Sequence, residues 1–168
     1  MPDYQVHPPR QKLKNIELVA YDFDGVMTNN TVILREDGQE SVIVNRSDGL
    51  AIGILKSWGI RQLILSTERN RIVSARAKKL KIPCLQGVNN KKQALIRYCR
   101  KEGLRLENTV YVGNDINDVE VLRIVGHPVC PADAYAEVKE IAAIILSVTG
   151  GAGVARDLIR YIAHRRNK

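Results

Sequence analysis

Two carboxylates one residue apart, Asp22 and Asp24, stand in the stretch Asp22-Phe23-Asp24-Gly25-Val26-Met27-Thr28, directly after Ile16-Glu17-Leu18-Val19-Ala20. A short apolar run bounded by a turn signal predicts a buried strand, which puts both acids at its carboxyl end. Such a pair makes a small, hard anionic site suited to magnesium, which is commonly held by one or two carboxylates plus phosphate oxygens. An aspartate can also attack phosphorus and carry the group covalently. Acidic residues after a strand also cap turns, so the residues that follow must decide.

Ser66-Thr67-Glu68 follows the run Leu63-Ile64-Leu65. Its hydroxyls and backbone amides, opening a helix, would cradle a phosphate. Lys91 opens the segment after Gly87-Val88-Asn89-Asn90. A cation is unfavourable at a helix start, so its position predicts pairing with a fixed anion, whereas Lys92 reads as a solvated charge. Gly113-Asn114-Asp115-Ile116-Asn117-Asp118 follows Thr109-Val110-Tyr111-Val112 and adds oxygen ligands. In order, these clusters supply a nucleophile, a magnesium site, a phosphate anchor and a balancing cation. Phosphoryl transfer needs little beyond such positioning and charge neutralisation.

The elements that must position them alternate in type. Helical spacing of apolar residues runs through 50–58, 69–81, 91–100 and 118–125, and Pro83-Cys84-Leu85, Val129-Cys130 and Ile144-Ile145-Leu146 read as short strands. This predicts an α/β fold with a mainly parallel, Rossmann-like sheet, helices on both faces, and a site at the carboxyl ends of the strands. One hairpin interrupts the alternation: Thr31-Val32-Ile33-Leu34 and Ser41-Val42-Ile43-Val44 flank a turn with an Asp37-Gly38 step, a strong hairpin signal. An isolated hairpin is marginal in water, so this one is expected to pack, with another subunit as one possible partner.

The chain has 168 residues, 45% hydrophobic and 26% charged, with a net charge of +8. We expect a basic arm over 1–14, loose because of its prolines and scattered charges. One domain over 15–168 would follow, with the hairpin at 28–46 and a tail at 150–168. Much of the positive charge lies in the termini and along 69–81, where it fits a solvated face or a small anionic substrate; no motif of a nucleic-acid module appears. No apolar run approaches the roughly 20 residues of a membrane helix. Cys84, Cys99 and Cys130 lack metal-ligand spacing and read as reduced thiols of a cytoplasmic protein. A dinucleotide binder fits poorly, because Gly151-Ala152-Gly153-Val154-Ala155-Arg156 lacks the last glycine and lies far from the first strand.

With those residues in hand, the chain resembles the haloacid dehalogenase (HAD) superfamily of phosphatases from Asp22 to Asp118. It is similar in particular to the capless branch of 3-deoxy-manno-octulosonate 8-phosphate and nonulosonate (sialic-acid-type) 9-phosphate phosphatases. The branch signals are Asn45-Arg46-Ser47-Asp48-Gly49, Ile64-Leu65-Ser66-Thr67-Glu68, Leu85-Gln86-Gly87-Val88, Pro131-Ala132-Asp133-Ala134 and Gly150-Gly151-Ala152-Gly153-Val154-Ala155-Arg156-Asp157. The segment from Ser66 to Lys91 leaves no room for a cap, in keeping with that branch.

The resemblance implies that Asp22 is the nucleophile and a magnesium ligand, and that Asp24 is the general acid/base with its carbonyl on the metal. Ser66 and Thr67 would bind the phosphoryl group, and Lys91 would bind it and stabilise the phosphoaspartate. Asn114 stands where the family has a ligating Asp, with Asp115 beside it as a further metal candidate and Asp118 as the outer acidic residue. Asp48, Glu68, Arg76, Lys79 and Arg156 would bind the substrate, Arg156 in a neighbouring subunit. A homotetramer whose hairpins assemble into a barrel, burying Val32, Leu34, Val42 and Val44, is implied as well. So are a small anionic sugar-phosphate substrate and a place in sialic-acid or lipopolysaccharide biosynthesis. The expected activity is magnesium-dependent hydrolysis of an acidic sugar phosphate through a phosphoaspartyl intermediate. The alternative, suggested by Asn114, is a weak or inactive assembly module like the carboxy-terminal domain of acylneuraminate cytidylyltransferases.

Overall fold

The computed structural model describes residues 13–162. Most of the expected basic arm (1–12) and the end of the expected tail (163–168) lie outside the described residues. The arm's last residues are in place: Leu13 is buried, and its N–H donates to the Tyr161 carbonyl at 2.7 Å.

The main sheet is built from β1 (Leu18–Tyr21), β4 (Arg61–Leu65), β5 (Cys84–Leu85), β6 (Thr109–Val112), β7 (His127–Cys130) and β8 (Ile144–Ile145). All its pairings are parallel, in the order β5-β4-β1-β6-β7-β8. Between β1 and β4 come the hairpin strands β2 (Ile33–Leu34) and β3 (Glu40–Ser41), then α1 (Arg46–Ser57). The remaining helices are α2 (Arg71–Leu80), α3 (Lys91–Glu102), α4 (Val119–Leu122), α5 (Ala136–Lys139) and α6 (Val154–Leu158). Every residue of β1 and β6 is buried, as expected of parallel strands covered on both faces. Val19, Tyr21, Ile64 and Val112 point to one core with Ala51, Leu55, Val73 and Leu158; Leu18, Ala20, Leu65 and Tyr111 point to the other with Leu95, Cys99, Leu122 and Val138. Thus α1, α2 and α6 cover one face, and α3, α4 and α5 the other.

Register brings the chemistry to one edge. Tyr21 pairs with Ile64 on one side and Val112 on the other, so Asp22, Ser66 and Asn114 leave three adjacent strands at nearly the same height. Chain order reverses around β1: β4 pairs on one side and β6 on the other. This is a topological switch point, where open sheets of this kind form their crevices.

Several boundaries differ from the sequence reading. The hairpin turn forms as expected, with Gly38 at φ 78° and the Arg35 N–H donating to the Gln39 carbonyl at 2.9 Å. Its strands, however, pair over two residues each. Val32, Ile33, Leu34 and Ile43 are exposed, whereas Val42 and Val44 turn onto the core. Among the described residues, no apolar surface covers these outer residues. The first helix starts at Arg46 rather than 50, capped by the Asn45 side chain accepting from the Ser47 N–H. The helix after Ser66 opens at Arg71 with Asn70 as its cap, so Ser66-Thr67-Glu68 is a loop and not a helix start. The segment at 118 begins as a 3-10 turn, Ile116–Asp118, before α4.

The glycine-rich tail packs directly on the loop after β1. The Gly151 N–H donates to the Val26 carbonyl at 3.0 Å, and Asp133 accepts from the Gly150 N–H at 2.8 Å. A side chain at Gly150 would overlap the Gly25 carbonyl. Overpacking against backbone costs about 1–3 kcal/mol, so Gly150→Ala is expected to lower the thermal midpoint by roughly 2–10 °C in a chain of this size. By contrast, Gly53→Ala, in the middle of α1 with open space around the added methyl, is expected to stabilise by about 0.5–1 kcal/mol. Calorimetry on the two variants checks both signs.

Candidate active site

Asp22 follows the last residue of β1 and is buried, with its N–H on the Val112 carbonyl at 2.9 Å. The Phe23 N–H donates to Asp22 Oδ1 at 2.7 Å. Lys91 Nζ, equally buried at the first residue of α3, lies 2.9 Å from Asp22 Oδ2 and 2.7 Å from Asp118 Oδ1. The fixed anion that the position of Lys91 predicted is therefore two carboxylates. Asp118 accepts further from the Tyr111 hydroxyl at 2.6 Å and from the Asn114 and Asp115 N–H groups at 2.9 and 3.3 Å. It thereby shapes the acidic loop. Lys92 instead meets Glu120 at the surface.

The electrostatics follow from one cation shared by two acids. Burial and the charge of Asp118 push the Asp22 carboxyl up to about 8, against the pull of Lys91. Burial opposes the charge on Lys91, but Asp22 and Asp118 override it and hold the ammonium above its ordinary range. With both acids ionised, the group is one positive charge short. Burial and then the nearby Glu68 charge also raise the half-buried Asp24, the direction that suits an acid catalyst.

A cleft of about 70 Å³ opens above Asp22 and is lined by Asp24, Ser66, Thr67, Asn114 and Asp115. Ser66 is buried, and its Oγ accepts from the Glu68 N–H at 3.1 Å, which leaves the hydroxyl proton for an incoming oxygen. The Leu85–Val88 stretch latches this loop: the Val88 N–H donates to the Ser66 carbonyl at 3.1 Å, and that of Gly87 to Glu68 at 2.8 Å. Asn114 is buried, and its Oδ1 has no hydrogen-bond partner among the described residues. Its amide lies so close to Gly25, where φ is 76°, that a side chain at Gly25 would overlap it. Among the described residues no three His, Cys, Asp or Glu side chains form a metal cluster, and the amide of Asn114 lines the cleft beside Asp22 and Asp24. The residues nonetheless fit a divalent cation: an orphaned buried oxygen and a charge deficit face the same small cleft. Asp115 also lines the cleft, with Oδ1 on the Ile116 N–H at 2.6 Å.

The other expected site residues sit elsewhere in the single chain. Asp48 is buried and accepts from the Ala155 and Arg156 N–H groups at 2.9 and 3.3 Å, tying α6 to α1. Arg76 is buried, its guanidinium donating to the Asn45 carbonyl at 2.7 Å, and it shares a groove between α1 and α2 with Lys79, Arg46, Lys56 and Lys81. Arg156 is exposed on α6. Glu68 lines a vestibule next to the cleft.

Three groups escaped the sequence reading. Tyr111 read only as a strand residue. Asn30, on the cleft in the left-handed region at φ 64°, gave no signal beyond its type. Thr28 stands inside the quoted stretch; it is buried and reaches Asp24 Oδ1 at 3.5 Å, the limit of a hydrogen bond.

The sequence model for haloacid dehalogenase-like hydrolases matches residues 56–158. The 3-deoxy-D-manno-octulosonate 8-phosphate phosphatase of Escherichia coli is 31% identical over 148 residues, 88% of this chain and 79% of that protein. Among solved structures, a HAD family hydrolase from Streptomyces avermitilis superposes with a TM-score of 0.86 at 44% identity, covering 88% of this chain and 85% of the other. The 3-deoxy-D-manno-octulosonate 8-phosphate phosphatase of Moraxella catarrhalis, solved with magnesium, phosphate and KDO, gives 0.84 at 30% identity, with 87% and 84% covered.

Removing Lys91 leaves its partners buried without their cation, which typically costs 3–5 kcal/mol. In denaturant titrations we expect Lys91→Met to lose about that much at pH 8. The sign with pH follows from the raised Asp22 carboxyl: on acidification it binds a proton in the folded chain and sheds its charge. The loss should therefore shrink towards pH 5, and a loss independent of pH would contradict the charge balance drawn here.

Proposed function

Because this chain belongs to the haloacid dehalogenase-like hydrolase family, we propose that it is a magnesium-dependent phosphatase of acidic sugar phosphates working through a phosphoaspartyl intermediate. The observation that carries this reading is Asp22, buried at the floor of the cleft and held at 2.9 Å by Lys91, with Asp24 and Ser66 lining the same cleft. The substrate class is supported by the relatives named for 3-deoxy-D-manno-octulosonate 8-phosphate; a nonulosonate 9-phosphate offers the same combination of terminal phosphate and distant carboxylate.

Asp22 attacks phosphorus while the bond from phosphorus to the sugar oxygen breaks, and Asp24 gives that oxygen its proton. Asp24 then takes a proton from water as the water attacks the acyl phosphate, releasing phosphate and restoring Asp22. Ser66 donates to a phosphoryl oxygen, with Thr67 beside it, and Lys91 neutralises Asp22 throughout. Magnesium would be held by Asp22, the Asp24 carbonyl and Asn114, with Asp115 in reach of its shell. When bound, it neutralises charge on the phosphoryl oxygens.

Among the described residues, the lining of the cleft and vestibule contains no exposed lysine or arginine for a sugar carboxylate. In a homotetramer that role would fall to Arg156 of a neighbouring copy, which is exposed on α6. The assembly-module alternative rests on Asn114 alone, and the complete Lys91 network favours the enzyme.

Phosphate release from sugar-acid phosphates tests the reading. Asp22→Asn is expected to lower kcat by at least about a thousandfold while the chain stays folded, because it removes a carboxylate that burial and Asp118 both disfavour. Asn114→Asp adds the missing ligand charge and is expected to reduce the magnesium concentration for half-maximal activity at least about tenfold. Full activity in Asp22→Asn would overturn the mechanism.

A further inference from the structure

The vestibule beside the cleft, about 130 Å³, shares Asp24 and Asn30 with it and runs between the hairpin and the start of α2. Its polar lining is acceptor-rich: Asp24, Glu68 and Glu40, with the amides of Asn30 and Asn70, and no cation. Two of the three carboxylates already have work. Asp24 serves the chemistry, and Glu68 Oε1 accepts from the Arg69 and Asn70 N–H groups at 2.6 and 2.7 Å, which closes the loop. Glu40, the first residue of β3, is half-buried and held from one side only. Asn70 Nδ2 donates to its Oε2 at 3.1 Å, and Oε1 has no hydrogen-bond partner among the described residues. Asn70 is fixed in turn, its Oδ1 accepting from the Ile72 N–H at 3.1 Å as the cap of α2.

Resting on the sugar-acid phosphatase reading, we propose that Glu40 is a specificity-determining residue whose carboxylate accepts hydrogen bonds from hydroxyls of the substrate's polyol chain next to the phosphate-bearing carbon. An ionised carboxylate makes the stronger, charge-assisted kind of hydrogen bond with such donors, and it repels another carboxylate. The substrate must therefore enter with its polyol end in the vestibule and its acid group remote. This matches the chemistry of an 8- or 9-phosphate, in which phosphate and carboxylate sit at opposite ends of the carbon chain. An aryl phosphate has no hydroxyl for Glu40 to read. The hairpin thus reaches back to the chemistry through Glu40, with Val32 and Val42 beside it in the vestibule lining.

The test compares kcat/KM for 3-deoxy-manno-octulosonate 8-phosphate and N-acetylneuraminate 9-phosphate with that for 4-nitrophenyl phosphate, in wild type, Glu40→Ala, Glu40→Gln and Asn70→Asp. Asn70→Asp keeps a good helix cap but removes the donor and sets a like charge against Glu40. We expect the preference for the better sugar acid to fall at least tenfold in Glu40→Ala and in Asn70→Asp, chiefly through KM, and less in Glu40→Gln, which retains an acceptor oxygen. If Glu40→Ala fails to fold, Glu40→Gln and Asn70→Asp still decide. An unchanged preference in the folded variants of an enzyme that hydrolyses a sugar-acid phosphate would overturn the role of Glu40. A wild-type enzyme active on the aryl phosphate but on neither sugar acid would instead overturn the functional reading. The same ratio measured with sorbitol 6-phosphate, a neutral polyol phosphate, would then judge Glu40 alone.

Discussion

The constraint on which the rest depends is a lysine buried between two carboxylates. Lys91 could not stay charged there without Asp22 and Asp118 at 2.9 and 2.7 Å, since burying an unpaired ammonium costs several kcal/mol. Nor could the two acids sit together without it. Yet one cation does not balance two anions, and Asp22 carries the deficit as a raised carboxyl. The site is therefore held together and left electrostatically unfinished at the same place. Asn114 Oδ1, from the same cleft lining, is buried without a hydrogen-bond partner among the described residues. A divalent cation would supply both the balancing charge and a partner for that oxygen.

Holding that geometry falls to parts of the chain remote in sequence. Parallel register levels the ends of β1, β4 and β6, and the loops leaving them are each latched. Asp118 gathers the amides of its own loop, the Leu85–Val88 stretch fastens the Ser66 loop, and the glycine tail presses on the residues after Asp24. Asp48 belongs to this scaffold in the single chain: its carboxylate ties α6, and so the tail, to α1. Asp48 and the glycine-rich tail, both within the branch-level motifs, thus serve as joints between elements.

What the sequence made legible was local. Lys91 stood out because a cation at a helix start contradicts the macrodipole, and the alternating strands and helices gave the sheet and its active edge. The Asp37-Gly38 turn was equally visible. What stayed hidden depended on distant partners. Asp48 meets amides more than a hundred positions away, and Tyr111 shows only strand character until its hydroxyl finds Asp118. Glu40 looks like an exposed hairpin residue until Asn70 holds it beside Asp24. The helix at Arg46 shows apolar spacing only from Leu50, because its first turn, Arg46-Ser47-Asp48-Gly49, has no apolar side chain. Ser66 reads as a helix start in sequence because a loop latched to the Leu85–Val88 stretch by backbone bonds leaves no pattern in side-chain type.

The most direct test of the account is to trap the covalent state. Enzyme mixed with magnesium and a sugar-acid phosphate would be quenched in acid within one turnover, digested, and the peptides weighed. The account predicts one added phosphoryl group on the peptide carrying Asp22, labile to hydroxylamine as an acyl phosphate must be, and absent from Asp22→Asn. Phosphate released at full rate with no label on Asp22 at any time, or with the label on Ser66 instead, would contradict it.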